Sequence, residues 1–163
     1  MQIYLLRHGI AEDLRPGLRD FDRPLTPEGG GKLRRVLERA RASGATPGLI
    51  LSSPLRRAVQ TAQIAAEVLH YSGKILQSRA LTPDASPAEA WSEIRACGEQ
   101  PAVLLASHEP LMSSLVAFLL ESPTLLVDMK KAAMVRIDSE RSGNSPCGVL
   151  KWMLTPAVAG DYT

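Results

Sequence analysis

The chain reads as an α/β fold with a mainly parallel sheet covered on both faces by helices. Short apolar runs alternate with amphipathic, helix-length segments for most of its length. Three of the apolar runs end in Arg or His: Ile3-Tyr4-Leu5-Leu6 passes into Arg7-His8-Gly9, Leu49-Ile50-Leu51 into Ser52-Ser53-Pro54-Leu55-Arg56-Arg57, and Ala102-Val103-Leu104-Leu105-Ala106 into Ser107-His108-Glu109-Pro110. With 163 residues, 45% hydrophobic and 22% charged, the chain is expected to form a single domain, 1–163, around one core.

The first run is the first strand. Residues 9 to 25 hold Gly9, Pro16, Gly17, Asp20, Asp22 and Pro24 without a sustained period and read as a long loop, a kind that tends to be functional. Thr26-Pro27-Glu28 starts a helix, with Thr26 as N-cap and Pro27 at the first helical position, although Gly29-Gly30-Gly31 weakens its opening turn. It is predicted to run to about Ser43, stop at Gly44 and bury Leu33, Val36, Leu37 and Ala40. After the second strand, Ser53 is expected to cap a helix with Pro54 at its first position, carrying Leu55, Val59, Ala62, Ile64, Ala66 and Leu69 to about His70.

A strand near Lys74 to Gln77 follows. Ser86-Pro87 opens a third helix ending near Gly98, and the strand at 102 to 106 leads into a helix from about Pro110 to Leu120. Residues 132 to 137 and 148 to 154 alternate as late strands, paired as a hairpin across the Gly143-Asn144 region.

Several classes are excluded. A net charge of +2, with the basic residues interspersed among acidic ones, does not suit nucleic acid. The longest apolar run, Leu115 to Leu120, is too short to span a bilayer and suits a buried helix face. The amino terminus lacks the pattern of a signal peptide, and Cys97 and Cys147 have no metal or redox spacing, so a reducing, cytoplasmic setting is expected.

The chemistry lies at the three strand ends. In open α/β sheets, ligands bind outside the carboxyl ends of the strands. A single Arg-His pair there is commonplace, but three convergent segments bring a cation and an imidazole to one edge, which suits holding and attacking an anion. His108 stands before a helix whose N-terminal N–H groups favour the same anion. His70, at a helix end, reads as a surface or capping residue. His8, His108 and Glu109 are conceivable metal ligands, yet no ligand spacing is present and Arg7 and Arg57 would repel a divalent ion. No cofactor or metal is expected.

Four blocks in order, Leu6-Arg7-His8-Gly9, Asp20-Phe21-Asp22-Arg23-Pro24-Leu25-Thr26-Pro27-Glu28-Gly29, Ser53-Pro54-Leu55-Arg56-Arg57-Ala58-Val59-Gln60-Thr61-Ala62 and Ser107-His108-Glu109-Pro110, resemble the histidine phosphatase (phosphoglycerate mutase-like) superfamily, and within it the small SixA-type phosphohistidine phosphatases. The resemblance covers nearly the whole chain. It implies a three-layer α/β/α sandwich in which His8 is the phosphorylated nucleophile and Arg7, Arg57 and His108 form the phosphate pocket. Arg23 is similar to a further phosphate-binding arginine of the small subgroup, and Ser53 is expected beside it at the substrate. The family pattern, with its arginine directly before Ala and three residues before Gln, selects Arg57 over Arg56.

Larger members of the superfamily carry an acidic residue on an inserted lobe. The interval from about Leu81 to Ala102 has room for one short helix, so no lid lobe is expected, and Asp20, Asp22 and Glu109 stay open as the acid. The implied activity is metal-independent hydrolysis of phosphohistidine on a partner protein, with phosphate or another oxyanion as the pocket's ligand and no membrane or nucleic-acid partner. Phosphatase action on small phosphorylated metabolites or other phosphoamino acids is the alternative. A non-catalytic phosphate-recognition module is a third reading, weakened by the presence of both histidines; mutase action fits least, since it needs a closed site.

Overall fold

The computed structural model describes residues 1–140 and 145–160. Six strands, β1 (Gln2–Arg7), β2 (Leu49–Ser52), β3 (Leu76–Gln77), β4 (Ala102–Ser107), β5 (Met134–Ser139) and β6 (Gly148–Leu154), form one sheet in the order β3-β2-β4-β1-β5-β6. The four strands from β3 to β1 run parallel, whereas β5 and β6 are antiparallel to their neighbours. The expected late hairpin pairing is present, and its Gly143-Asn144 turn lies outside the described residues.

Helices α1 (Pro27–Ala42) and α2 (Arg56–Val68) cover one face; α3 (Pro87–Ala96) and α4 (Leu111–Leu119) cover the other. The strands serve both layers by alternation. Tyr4 and Leu6 of β1 and Leu104 of β4 pack with Leu33, Leu37 and Ala62, while Ile3, Leu5, Val103 and Leu105 pack with Trp91, Ile94 and Leu111. A strand buried on both sides needs a continuous apolar run, which is what β1 and β4 supply. The result is the three-layer sandwich, with a mixed sheet.

Local chemistry sets the helix ends. Thr26 Oγ1 accepts from Gly29 N at 2.9 Å, and α1 ends before Gly44, whose φ of +83° favours glycine. Gly29 has a further reason to be there: a Cβ on it would collide with the backbone of Ile10, so α1 can start against the β1 exit only because that side chain is missing. Ser86 and Glu89 close a capping box on α3.

The start of α2 departs from expectation. Leu55 is its N-cap, without a side-chain cap, and Ser53 lies outside the helix. The buried stripe is Arg57, Ala58, Thr61, Ala62, Ala65 and Val68 in place of Val59, Ile64 and Ala66; it keeps the i,i+3/i+4 helical spacing and carries two polar residues, Arg57 and Thr61, inward. Strand β3 is shorter than 74 to 77. His70 is exposed, 2.8 Å from the Arg41 guanidinium. Among the described residues no helix is long and apolar enough to cross a membrane.

Candidate active site

Neighbouring strands β1 and β4 are followed by helices on opposite faces of the sheet. This divergence opens a crevice at their carboxyl ends. Arg7 pairs with Ser107 across the two strands, so the next residues, His8 and His108, emerge side by side with ring centroids 5.0 Å apart. Arg57, from the first turn of α2 beyond β2, completes the cluster.

His8 is held at both backbone groups: its N donates to Ser107 O at 2.9 Å and its carbonyl accepts from Ala132 N at 3.0 Å. Its Nδ1 lies 2.7 Å from Gly9 O. A carbonyl only accepts, so Nδ1 carries the proton and Nε2 keeps its lone pair. His8, Arg57 and His108 are respectively 6%, 4% and 1% exposed. Burial, reinforced by the charges of Arg57, Arg7 and Lys131 and opposed by the Gly9 contact, holds the His8 pKa down at about 3. Burial also lowers His108 to about 2, with His8 and the site's arginines adding to the effect.

The cations are only partly satisfied. Arg7 donates from Nη1 to Met129 O at 2.6 Å. Arg57 donates to Asp20 O at 2.8 Å and to the Asp20 carboxylate at 3.3 Å, which also accepts from Arg23 Nε at 2.9 Å. Arg23 reaches Glu12 O as well, at 2.9 Å. His108 Nε2 lies 2.8 Å from Ser53 Oγ, which accepts from Leu55 N. Among the described residues, three buried side-chain nitrogens lack a partner: Arg7 Nε, Arg57 Nε and His108 Nδ1. Buried polar groups are nearly always paired, so three orphans in one cluster mark a place prepared for an acceptor.

The structure thus gathers Arg7, His8, Arg57, His108 and Ser53, with Arg23 and Asp20 at the rim. Arg56 is exposed. The carboxylates differ in their commitments. Burial of Asp20 would raise its pKa, but the charge of Arg57 and the bonds from Arg23 and Arg57 outweigh it and hold the carboxyl below its ordinary range. Asp22 is paired with Arg19 at 2.6 Å, and Glu109 accepts from Ser113 N in the first turn of α4 at 2.8 Å.

Sequence reasoning gave no role to Thr61 or to the Met129 carbonyl. Thr61 Oγ1, fully buried, accepts from Gly9 N at 3.2 Å and donates to Arg57 O at 2.8 Å, tying the His8 loop to the Arg57 helix. Its i,i+4 spacing from Arg57 was the available signal. Among the described residues no group of three or more His, Cys, Asp or Glu could hold a metal ion.

The model of the histidine phosphatase superfamily (branch 1) matches residues 3–81. A protein of Picosynechococcus sp. (strain ATCC 27264 / PCC 7002 / PR-6), described as uncharacterized, is 36% identical over 111 residues, 68% of this chain and 67% of that protein. The structure of the protein histidine phosphatase SixA complexed with tungstate superposes with a TM-score of 0.84 at 26% identity, over 96% of this chain and 98% of that one. A candidate phosphohistidine phosphatase SixA from Agrobacterium tumefaciens gives 0.78 at 25%, over 95% and 98%. The fold alone is shared with a mycobacterial glucosyl-3-phosphoglycerate phosphatase, at a TM-score of 0.70 and 19% identity over 92% of this chain and 96% of that one. Sequence blocks and topology agree with these matches: the chain belongs to the histidine phosphatase superfamily and has the phosphoglycerate mutase-like fold of SixA.

Proposed function

We propose that the protein hydrolyses phosphohistidine on a partner protein through a phospho-His8 intermediate, without a metal, in a cytoplasmic signalling setting. The observation that carries this reading is the trio of orphaned buried nitrogens around a neutral imidazole. Arg7, Arg57 and His108 are the phosphate-holding residues, and Arg23 and Ser53 assist. Forked guanidinium donors suit the equatorial oxygens of a transferring phosphoryl group, where positioning and charge stabilisation do most of the work. With Ser53 Oγ donating to His108 Nε2, His108 Nδ1 carries a proton and donates to the same oxygens.

In the first step the His8 Nε2 lone pair attacks phosphorus and the substrate's N–P bond breaks; the substrate ring, protonated beforehand on its far nitrogen, takes the electron pair and leaves as neutral imidazole. In the second, water attacks phospho-His8, the new N–P bond breaks with its electron pair returning to Nε2, and inorganic phosphate leaves as dihydrogen phosphate, carrying the water's oxygen and both of its protons.

The preference for phosphohistidine rests on the carboxylates. Of the three candidate carboxyls, Asp20 is held ionised and is a poor acid, Asp22 is paired with Arg19, and Glu109 remains. An alkoxide leaving group needs a proton donor, whereas an imidazole is protonated before its bond breaks. The reading takes residues 1–163 as one domain without a lid; in support, the span from β3 to β4 carries one 3-10 turn and α3.

The test is a side-by-side assay of a phosphohistidine domain, a phosphoserine peptide and sugar phosphates, with exhaustive chelation and with tungstate as competitor. The expected outcome is preference for the phosphohistidine domain, chelator resistance and competitive inhibition by tungstate. Preference for sugar phosphates would establish the small-metabolite reading instead, and binding without turnover the recognition-module reading.

A further inference from the structure

Two clefts flank the site and differ in charge. One, of about 730 Å³, is lined by Arg7, Lys32, Arg35, Lys130 and Lys131, with no carboxylate among the described residues that line it. The other, of about 870 Å³, is lined by Asp20, Asp84 and Glu89 against one cation among the described residues, Arg79. Each touches the site through a residue already placed there: Arg7 opens onto the first, and Asp20, bonded to Arg57, borders the second. In a chain of net charge +2 this is segregation across one mouth, not an overall excess.

The cationic walls come from separate parts of the chain. Lys32 and Arg35 project from α1; Lys130 and Lys131 lie in the turn before β5, whose Met129 carbonyl receives Arg7. Lys32 is paired with Glu28 at 2.6 Å and Lys130 with Asp128 at 2.8 Å, while Arg7, Arg35 and Lys131 have no carboxylate partner among the described residues. Arg35, Lys130 and Lys131 are exposed. Exposed cations spread over several elements make a poor pocket for one small anion, which calls for buried convergent donors. They suit a broad acidic surface, where attraction steers encounter and fixes orientation at small desolvation cost.

We infer that the Lys32, Arg35, Lys130 and Lys131 flank is the docking surface for an acidic face of the phosphohistidine-bearing protein, and that the Asp84 and Glu89 flank orients that partner by repelling the same face. This inference rests on the phosphohistidine reading above.

The experiment compares an acidic phosphohistidine domain, phosphorylated with phosphoramidate, with free phosphoimidazole, for wild type, the Arg35→Glu/Lys130→Glu double variant and Asp84→Lys. Lys131 is left intact because its charge reaches His8. Expected is a roughly tenfold loss of kcat/KM on the domain in the double variant, through KM, with phosphoimidazole turnover unchanged. Wild-type activity on the domain, and not on phosphoimidazole, is expected to fall as salt is raised from about 50 to about 500 mM. Asp84→Lys is expected to lower kcat/KM on the domain by a smaller factor, because the acidic face is then drawn to the wrong flank, with phosphoimidazole turnover unchanged; an unchanged or raised value on the domain would overturn the orienting role.

An undiminished double variant, or an equal loss on phosphoimidazole, would overturn the docking surface while leaving the phosphohistidine reading standing. A wild type inactive on both phosphohistidine compounds would overturn that reading and this inference with it, a result visible before any variant is made.

Discussion

Arg136 and Arg57 carry the same guanidinium in two regions of the molecule and are used in opposite ways. Arg136, on β5, spends Nε and Nη2 on both carboxylate oxygens of Asp138, at 2.8 and 3.0 Å. Arg57 is more deeply buried, shares Asp20 with Arg23, and keeps an orphaned Nε. Arg136 is partly exposed, so water can reach the N–H groups its bidentate pair leaves over; a buried cation with an orphaned donor is incomplete until an anion arrives. The same contrast separates His8 and His108, buried and kept neutral, from His70, exposed beside Arg41. Degree of satisfaction, more than residue type, distinguishes the site from the scaffold.

The harshest way to break this comparison is His8→Ala. Turnover is expected to fall by more than about 10⁴-fold, as for loss of a covalent nucleophile, while tungstate binding by calorimetry persists because Arg7, Arg57 and His108 remain. Trapping with labelled substrate should mark His8 in the wild type. Label on another residue, or retained turnover in the variant, would refute the covalent route.

Next comes Arg57→Ala against Arg56→Ala. The first is expected to cost about 2–4 kcal/mol in kcat/KM, the range for losing one preorganised donor to developing charge. The second, on an exposed side chain, should change it little. Equal losses would show that burial and orphaned donors do not mark the working arginine.

The histidines sharpen the comparison through pH. Their folded pKa values, about 3 and about 2, lie below the ordinary 6.5. As pH falls below 6.5 the unfolded chain takes up protons that the folded site refuses, so their stabilising contribution is complete above 6.5 and is lost on the way down through the folded values. From neutral pH to pH 5.5 the loss should be ~1.4 kcal/mol per imidazole, measured by denaturant unfolding of wild type against His8→Ala and His108→Ala. For the same reason kcat/KM should show no acid limb at 6.5; one there would mean that His8 titrates as an ordinary exposed histidine.

Much of this was legible from local sequence. The apolar runs of β1 and β4, the Thr26 cap, the α1 stripe and the Arg or His at three strand ends all depend on neighbours within a few residues. What escaped depends on distant ones. Ser53 reads as a helix cap, but its hydroxyl lies against Leu55 N and His108 Nε2, the latter 55 residues away, and α2 starts beyond it. Arg7's partner is a backbone carbonyl 122 residues on, which has no side-chain signature. The Asp20 clamp on Arg57 needs the 9–25 loop to fold back on α2, and the antiparallel edge of the sheet is set by where the chain returns after α4, neither of which a local pattern encodes.

The smallest expected effect is the one that tests the comparison from its other side. Arg136→Ala removes a cation whose ion pair is partly exposed, with side chains 19% and 35% accessible, so the cost in stability should stay below about 1 kcal/mol. Its donors are spent on Asp138 within its own strand, so kcat/KM should stay within about twofold of wild type, the range for surface changes away from a site. Unfolding midpoints and steady-state kinetics on one preparation check both. If Arg136→Ala depressed kcat/KM as far as Arg57→Ala, a paired, partly exposed cation would matter as much as a buried one with an orphaned donor, and free donors would no longer explain why Arg57 sits in the crevice.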